Sequence, residues 1–294
     1  MIRLTRLRPR LRPRFALRAL STSAPRPAAT SPYSKTQRFT STNDTLHPTP
    51  VRAPAPTLAL LSRLHARSEG EGAELSGVDT ERGADDGVSD RITAMAEDKC
   101  QLLYSLVRAT RARSVVVAGA GFGVGAVYCA LGAQQNARDL GGRARVVATE
   151  YERAMARAAR EVWGEAGVAV EMLEGDLRET LRGAALDTVD FVLLDGESGA
   201  LSLASCAGSY CAGPLARPLA PLALTPVWTP MALPALQLVQ PHLRPGATIV
   251  ADNTTVQADG YAELMAHADE HGYQRLSLPY AGGLTLMTYY PEAE

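Results

Sequence analysis

The chain has 294 residues, 46% of them hydrophobic, and a formal net charge of −1. That length buries a full α/β core with residues to spare. The near-neutral total hides an asymmetry: residues 1–43 hold nine Arg, one Lys and no Asp or Glu, which leaves a net of −11 on the remainder. A body of that sign argues against nucleic acid as a partner, because such binders present basic surfaces.

The leader, Met1 to about Asn43, is rich in Arg and Ser and free of acid. It reads as a mitochondrial transit peptide, with a disordered basic tail on a cytoplasmic protein as the alternative. Residues 44–90 read as a linker that carries a short helix over 57–67 and an acidic, glycine-rich loop over 68–90. His65 is expected on the polar face of that helix. Asp90 is placed to cap a helix from about 91 to 111, with Leu102, Leu103, Leu106 and Val107 as its apolar face.

From there strands and helices alternate. Strands are expected at 114–118, 145–149, 168–173, 189–194, 247–251, 273–279 and 283–290. Helices are expected near 124–138, 151–166, 177–184, 230–240 and 258–270. This order predicts an α/β, Rossmann-like fold: a seven-stranded, mostly parallel sheet with helices on both faces and a C-terminal antiparallel hairpin. The four cysteines, Cys100, Cys129, Cys206 and Cys211, are too scattered for a disulfide framework. The apolar region 200–240 is broken by six prolines, so no membrane span is expected.

Ligands of such sheets gather at the carboxyl ends of the strands. The first predicted strand runs into glycines at 119, 121, 123 and 125. Glycine lets a backbone turn sharply and approach a ligand, and the helix start that follows favours an anionic group. Gly119, Gly121 and Gly123 are therefore candidate floor residues of a nucleotide-type cofactor site. The next strand ends at Glu150, whose carboxylate can accept both hydroxyls of a ribose. Asp176, after the third, can meet an adenine amine. Asp195, Asp252 and Asn253 close the fourth and fifth strands and offer three hard oxygen ligands, which suit Mg²⁺ or a similar divalent cation. A lone carboxylate at such a position is usually a helix cap or a solvated rim residue, but one acidic or amide group at each successive strand end is more than a core needs.

Several short segments in this order resemble the class I S-adenosylmethionine-dependent O-methyltransferases of the catechol and caffeoyl-coenzyme A type. They are Asp98-Lys-Cys-Gln, Phe122-Gly-Val, Thr149-Glu150, Glu174-Gly-Asp176, Leu194-Asp195-Gly196, Ala251-Asp-Asn253 and Leu278-Pro-Tyr-Ala-Gly-Gly283. The resemblance implies transfer of a methyl group from S-adenosyl-L-methionine to a hydroxyl of a small acceptor, with a divalent metal assisting. It assigns Gly119, Gly121, Glu150 and Asp176 to the cofactor, Asp195, Asp252 and Asn253 to the metal, and catalysis to Asp195. It also allows a homodimer.

The chain departs from that family pattern in three places. Val117 stands where the family carries an acidic residue, and Ala120, Gly121, Gly125 and Ala126 replace hydroxyl side chains in the loop, a loss of about 2–5 kcal/mol of polar contacts to a charged cofactor. Ser198 stands where catechol-type members carry a lysine base. Lys35 and Lys99 are the only lysines, and both lie upstream of the strands. About thirty residues, 197–227, intervene before Trp228; the segment reads as an irregular insertion or as a retained intron. Two other readings stay open: a catalytically inactive cofactor binder of the same fold, and a nicotinamide-dependent oxidoreductase.

Overall fold

The computed structural model describes residues 49–75, 94–195 and 229–291, all within one unit spanning Thr40–Glu294. The basic leader, Asp90 and its acidic surroundings, and the 197–227 insertion with Ser198, Cys206 and Cys211 lie outside the described residues.

Helix α1 (Ala55–Leu75) is followed by α2 (Glu97–Ala109), then β1 (Ser114–Ala118), α3 (Val124–Leu140), β2 (Arg145–Glu150), α4 (Arg153–Ala166), β3 (Glu171–Glu174), α5 (Leu177–Gly183) and β4 (Val189–Leu194). After the insertion come α6 (Thr229–Val239), a 3₁₀ turn (Gln240–His242), β5 (Leu243–Asp252), a second 3₁₀ turn (Ala258–Tyr261), α7 (Ala262–Glu270), β6 (Tyr273–Leu278) and β7 (Leu284–Tyr289). The strands form one seven-stranded sheet in the order β3-β2-β1-β4-β5-β7-β6. The first five are parallel, and β7 runs antiparallel to both β5 and β6. The predicted fold class is the observed one.

Alternation of side chains along each strand separates two cores. Val115, Val117, Phe191, Leu193 and Val250 face α1 to α4. Val116, Ala118, Val192, Leu194, Ile249 and Ala251 face α5, α6 and α7. The strands read as near-continuous apolar runs because both faces are covered. The strand order reverses between β1 and β4, so the carboxyl ends of these two strands flank the crevice where ligands of open α/β sheets bind.

Several boundaries differ from the sequence reading. β3 begins at Glu171 rather than at 168. Val168 is β-branched but still belongs to the end of α4: Gly167 caps the helix at φ 68°, and the Val168 N–H donates to the Trp163 carbonyl. Helix α2 starts at Glu97, with Ala96 as an N-cap that makes no side-chain bond. Just before it, the Ala94 N–H is held by Ser68 Oγ at 2.9 Å. The 258–270 helix is split into a 3₁₀ turn and α7.

Helix α1 is not part of a loose linker. It docks on the body, with Thr57 Oγ1 donating to the Ala166 carbonyl and Arg63 paired to Glu165. His65 therefore lies on the inner face, contrary to expectation. It is 4% exposed, and its Nε2 is 2.9 Å from the Tyr128 hydroxyl. Burial drops its pKa to about 4, while a nearby Asp98 opposes the drop.

That shift has a sign. Below an ordinary pKa of about 6.5 the unfolded chain takes up a proton that the folded chain refuses, so stability falls as pH falls from about 6.5 to about 4. The loss totals about 3 kcal/mol. Urea unfolding between pH 7 and pH 4.5 is expected to show this slope in the native chain, and a shallower one in His65→Leu. Equal slopes would mean that the imidazole is not excluded from charging.

Candidate active site

The crevice is built by bolting three strand ends together. Leaving β1, the Gly119 N–H donates to Thr149 Oγ1 (3.1 Å) and the Ala120 N–H to the Thr149 carbonyl (2.8 Å). The Asp195 N–H, at the end of β4, donates to the Ala118 carbonyl at 3.0 Å. The glycine turn thus hangs between β2 and β4 with little freedom of its own.

Gly119, Gly121 and Gly123 all have positive φ, at 83°, 51° and 82°. At Gly123 a second constraint coincides with the first. A Cβ there would lie 2.5 Å from Trp163 Nε1, and that indole donates to the Gly123 carbonyl at 3.0 Å. Around Gly121 the reverse holds: nothing lies within 4 Å of where a Cβ would start. One glycine of the turn is packed against α4 and another faces open space, as close approach of backbone to a ligand requires. The adjoining cleft is lined by Ala94, Met95, the turn 119–125 and Asp195.

Glu150 points at the turn. Its Oε2 accepts from the Gly121 N–H at 2.8 Å, and its Oε1 accepts from the Glu152 N–H at 2.9 Å. Burial raises its carboxyl above the usual carboxylate range, and the backbone donors pull it partly back. A carboxylate at the lip of an open glycine turn suits a diol such as a ribose, whose two hydroxyls need two acceptors.

Asp176 is occupied differently. It is the N-cap of α5, accepting from the Arg178 N–H at 2.9 Å, and it holds the Arg178 guanidinium through both oxygens. The guanidinium, and next the backbone bond, hold its carboxyl down at about 2. Contact with an adenine amine would have to share an oxygen with Arg178.

Asp195 and Asp252 each stand one residue beyond Leu194 and Ala251, which are registered partners on β4 and β5. Their backbones therefore lie opposite one another, roughly 5 Å apart. Both face the α1–α4 side and both are buried, at 8% and 2% exposure. A Cβ on Gly125 would lie 3.5 Å from Asp195 Oδ2, so this carboxylate sits under the start of α3. Asn253 takes φ 58°, and its N–H donates to Asp252 Oδ1 at 2.7 Å.

In the sequence Lys99 lies upstream of the strands. The fold brings it back. Its Nζ lies 2.5 Å from Asp252 Oδ1 and 3.5 Å from Asn253 Oδ1, with the two ion-paired side chains only 4% and 2% exposed. Burial pushes the Asp252 carboxyl up and the Lys99 ammonium pulls it back. A signal was present. Lys99 shares the inner stripe of α2 with Leu103 and Val107, one and two turns on, all of them buried. A lysine on the apolar stripe of a helix needs a buried partner.

This bears on the expected divalent ion. Asp252 and Asn253 present their oxygens to an ammonium already in hydrogen-bond contact with Asp252, so as folded they do not fit a divalent ion as well. Among the described residues no cluster of three or more His, Cys, Asp or Glu side chains could hold a metal. Nor is any helix among them long and apolar enough to cross a membrane.

No protein-family model matches the chain, and no curated protein matches it in sequence. Solved structures do match in fold. Cofactor-bound Rv0187 from MTB is 20% identical, over 80% of this chain and 91% of that one, with a TM-score of 0.54. The SAH-bound methyltransferase PaMTH1 from Podospora anserina is 13% identical, over 80% and 88%, also at 0.54. The O-methyltransferase from Bacillus cereus, in complex with SAH, is 16% identical, over 79% and 90%, at 0.51. What these similarities establish for this chain is the fold, a Rossmann-like α/β domain shared with O-methyltransferases.

The Lys99–Asp252 pair makes a stability prediction. Removing one member of a buried pair strands the other, at a cost of about 3–5 kcal/mol, whereas apolar replacement of both is often close to neutral. In denaturant unfolding Lys99→Met is expected to lose stability on that scale, and Lys99→Met/Asp252→Leu to recover most of it. A double variant as weak as the sum of the single ones would show that the two do not act as a pair.

Proposed function

We propose that this chain is an S-adenosyl-L-methionine-dependent O-methyltransferase that acts on a hydroxyl of a small, catechol-like acceptor. The observation that carries the reading is the Glu150 carboxylate bonded to the Gly121 N–H, at an open glycine turn beside the strand-order reversal. The fold shared with SAH-bound methyltransferases supports it.

When bound, the cofactor supplies an electrophilic methyl group on a sulfonium. The residues of the chain do the rest. Glu150 holds the ribose, the turn 119–123 takes the amino-acid end, and Asp176 lies toward the adenine. Asp195, lining the same cleft, holds the acceptor hydroxyl and takes its proton as the oxygen attacks in line. The hydroxyl-poor turn favours a second reading, a binder without turnover. The divalent ion expected from the sequence would have to displace Lys99, which already engages Asp252 and Asn253, so the reading does not rely on it. The basic, acid-free leader supports a mitochondrial address, and a homodimer is the assembly to be tested by light scattering.

Calorimetry separates these readings. S-adenosylhomocysteine is expected to bind and NAD to give no heat. Glu150→Ala is expected to weaken binding about 10–100-fold, the loss of hydrogen bonds to a charged acceptor. Because burial raises the Glu150 pKa, affinity is expected to fall as pH drops through that raised value, earlier than for an ordinary exposed carboxylate. Heat with NAD alone would overturn the reading. Binding without methylation of any catechol-like acceptor would select the inactive binder.

A further inference from the structure

The oxygen cluster at the ends of β4 and β5 already contains a cation from its own chain. Asp252 offers a buried carboxylate, Asn253 an amide oxygen, and Asp195 a second carboxylate on the neighbouring strand. Lys99 enters from α2, and its ammonium meets Asp252 Oδ1 at 2.5 Å and Asn253 Oδ1 at 3.5 Å.

The helix that carries this lysine is held in place. Lys99's neighbours Cys100, Leu103 and Val107 are fully buried, and its backbone N–H is held by Asp98 Oδ1 at 2.7 Å. The acceptors are fixed as well. Asp252 is in the β5–β7 ladder, the Gln257 N–H donates to the Asn253 carbonyl, and the N–H groups of Thr255 and Val256 close onto the Gly282 carbonyl. Lys35 apart, every other basic residue of the chain is an arginine. A compact ammonium substitutes for a small hard cation where a planar guanidinium would not.

We propose that Lys99 is the resident cation of this site: its ammonium takes the place a divalent ion would occupy against Asp252 and Asn253, and it makes the site independent of metal. Removing the ammonium uncovers a latent divalent-cation site built from oxygens alone, the ligand set such ions prefer. On the methyl-transfer reading, the charge that balances Asp252 beside the cleft is then the ammonium of Lys99, where a bound metal would otherwise supply it.

The test titrates Mn²⁺ into the full chain, followed by its EPR signal and by thermal unfolding. The native chain is expected to take up no Mn²⁺ at this site and to keep its Tm. Lys99→Ala is expected to bind one Mn²⁺ and to gain about 5–10 °C in Tm once the ion is some 100-fold above its Kd. Adding Asp252→Asn is expected to abolish that gain. If Lys99→Ala folds poorly, Lys99→Met carries the same expectation, and the native-chain titration stands without either variant.

One equivalent of Mn²⁺ bound by the native chain and lost in Asp252→Asn would overturn the proposal. So would folded Lys99 variants that gain no Mn²⁺, or methyl transfer abolished by a chelator and restored by Mg²⁺. A native chain that binds neither Mn²⁺ nor S-adenosylhomocysteine would defeat the methyl-transfer reading alone, because the metal readout does not depend on turnover.

Discussion

Lys99 and Asp252 meet with almost no exposure on either side chain. Taking both charges out of water is unfavourable by several kcal/mol each, and their mutual attraction offsets this only when the geometry is close and the remaining polar groups are satisfied. Those conditions tie together parts of the chain 153 residues apart. Helix α2 has to seat its inner stripe against the sheet, β5 has to end at Asp252 and not one residue earlier, and the Asn253 turn has to fold back over the pair. The charge balance at the ends of β4 and β5 follows from that single contact.

The glycine-turn side of the crevice is held by different means. Backbone bonds from Gly119, Ala120 and Asp195 join the ends of β1, β2 and β4, and Glu150 adds a side-chain acceptor to the Gly121 N–H. These groups are held by contacts within the chain itself, which limits the ordering that a ligand would have to impose. Trp163 sets the far wall through the Gly123 carbonyl. The hydroxyl-poor loop is thus compensated in rigidity, though not in hydrogen-bond donors.

The parts legible in the sequence were those governed by local periodicity. Alternating apolar runs and glycine punctuation placed every strand of the sheet, and reading the strand ends singled out Glu150, Asp195 and Asp252. The structure adds contacts, some local and some distant, that the patterns of apolarity do not encode. Val168 looked like strand and terminates α4. His65 looked solvated and is buried against Tyr128. Asp176 looked available and is engaged by Arg178, two residues on.

Read alone, the sequence determined the α/β class, the strand-end positions of the acidic residues and the glycine turn, because these follow from short-range patterns of apolarity and backbone freedom. Only the tertiary structure decided which groups share a pocket. Lys99 lies before the first strand in the chain, yet it reaches the end of the fifth, since helix packing and strand register set distances that sequence separation does not encode. An oxygen cluster that suggested a metal from its ligands alone proved to hold an ammonium, because what neutralises a buried carboxylate depends on which side chain the fold places against it.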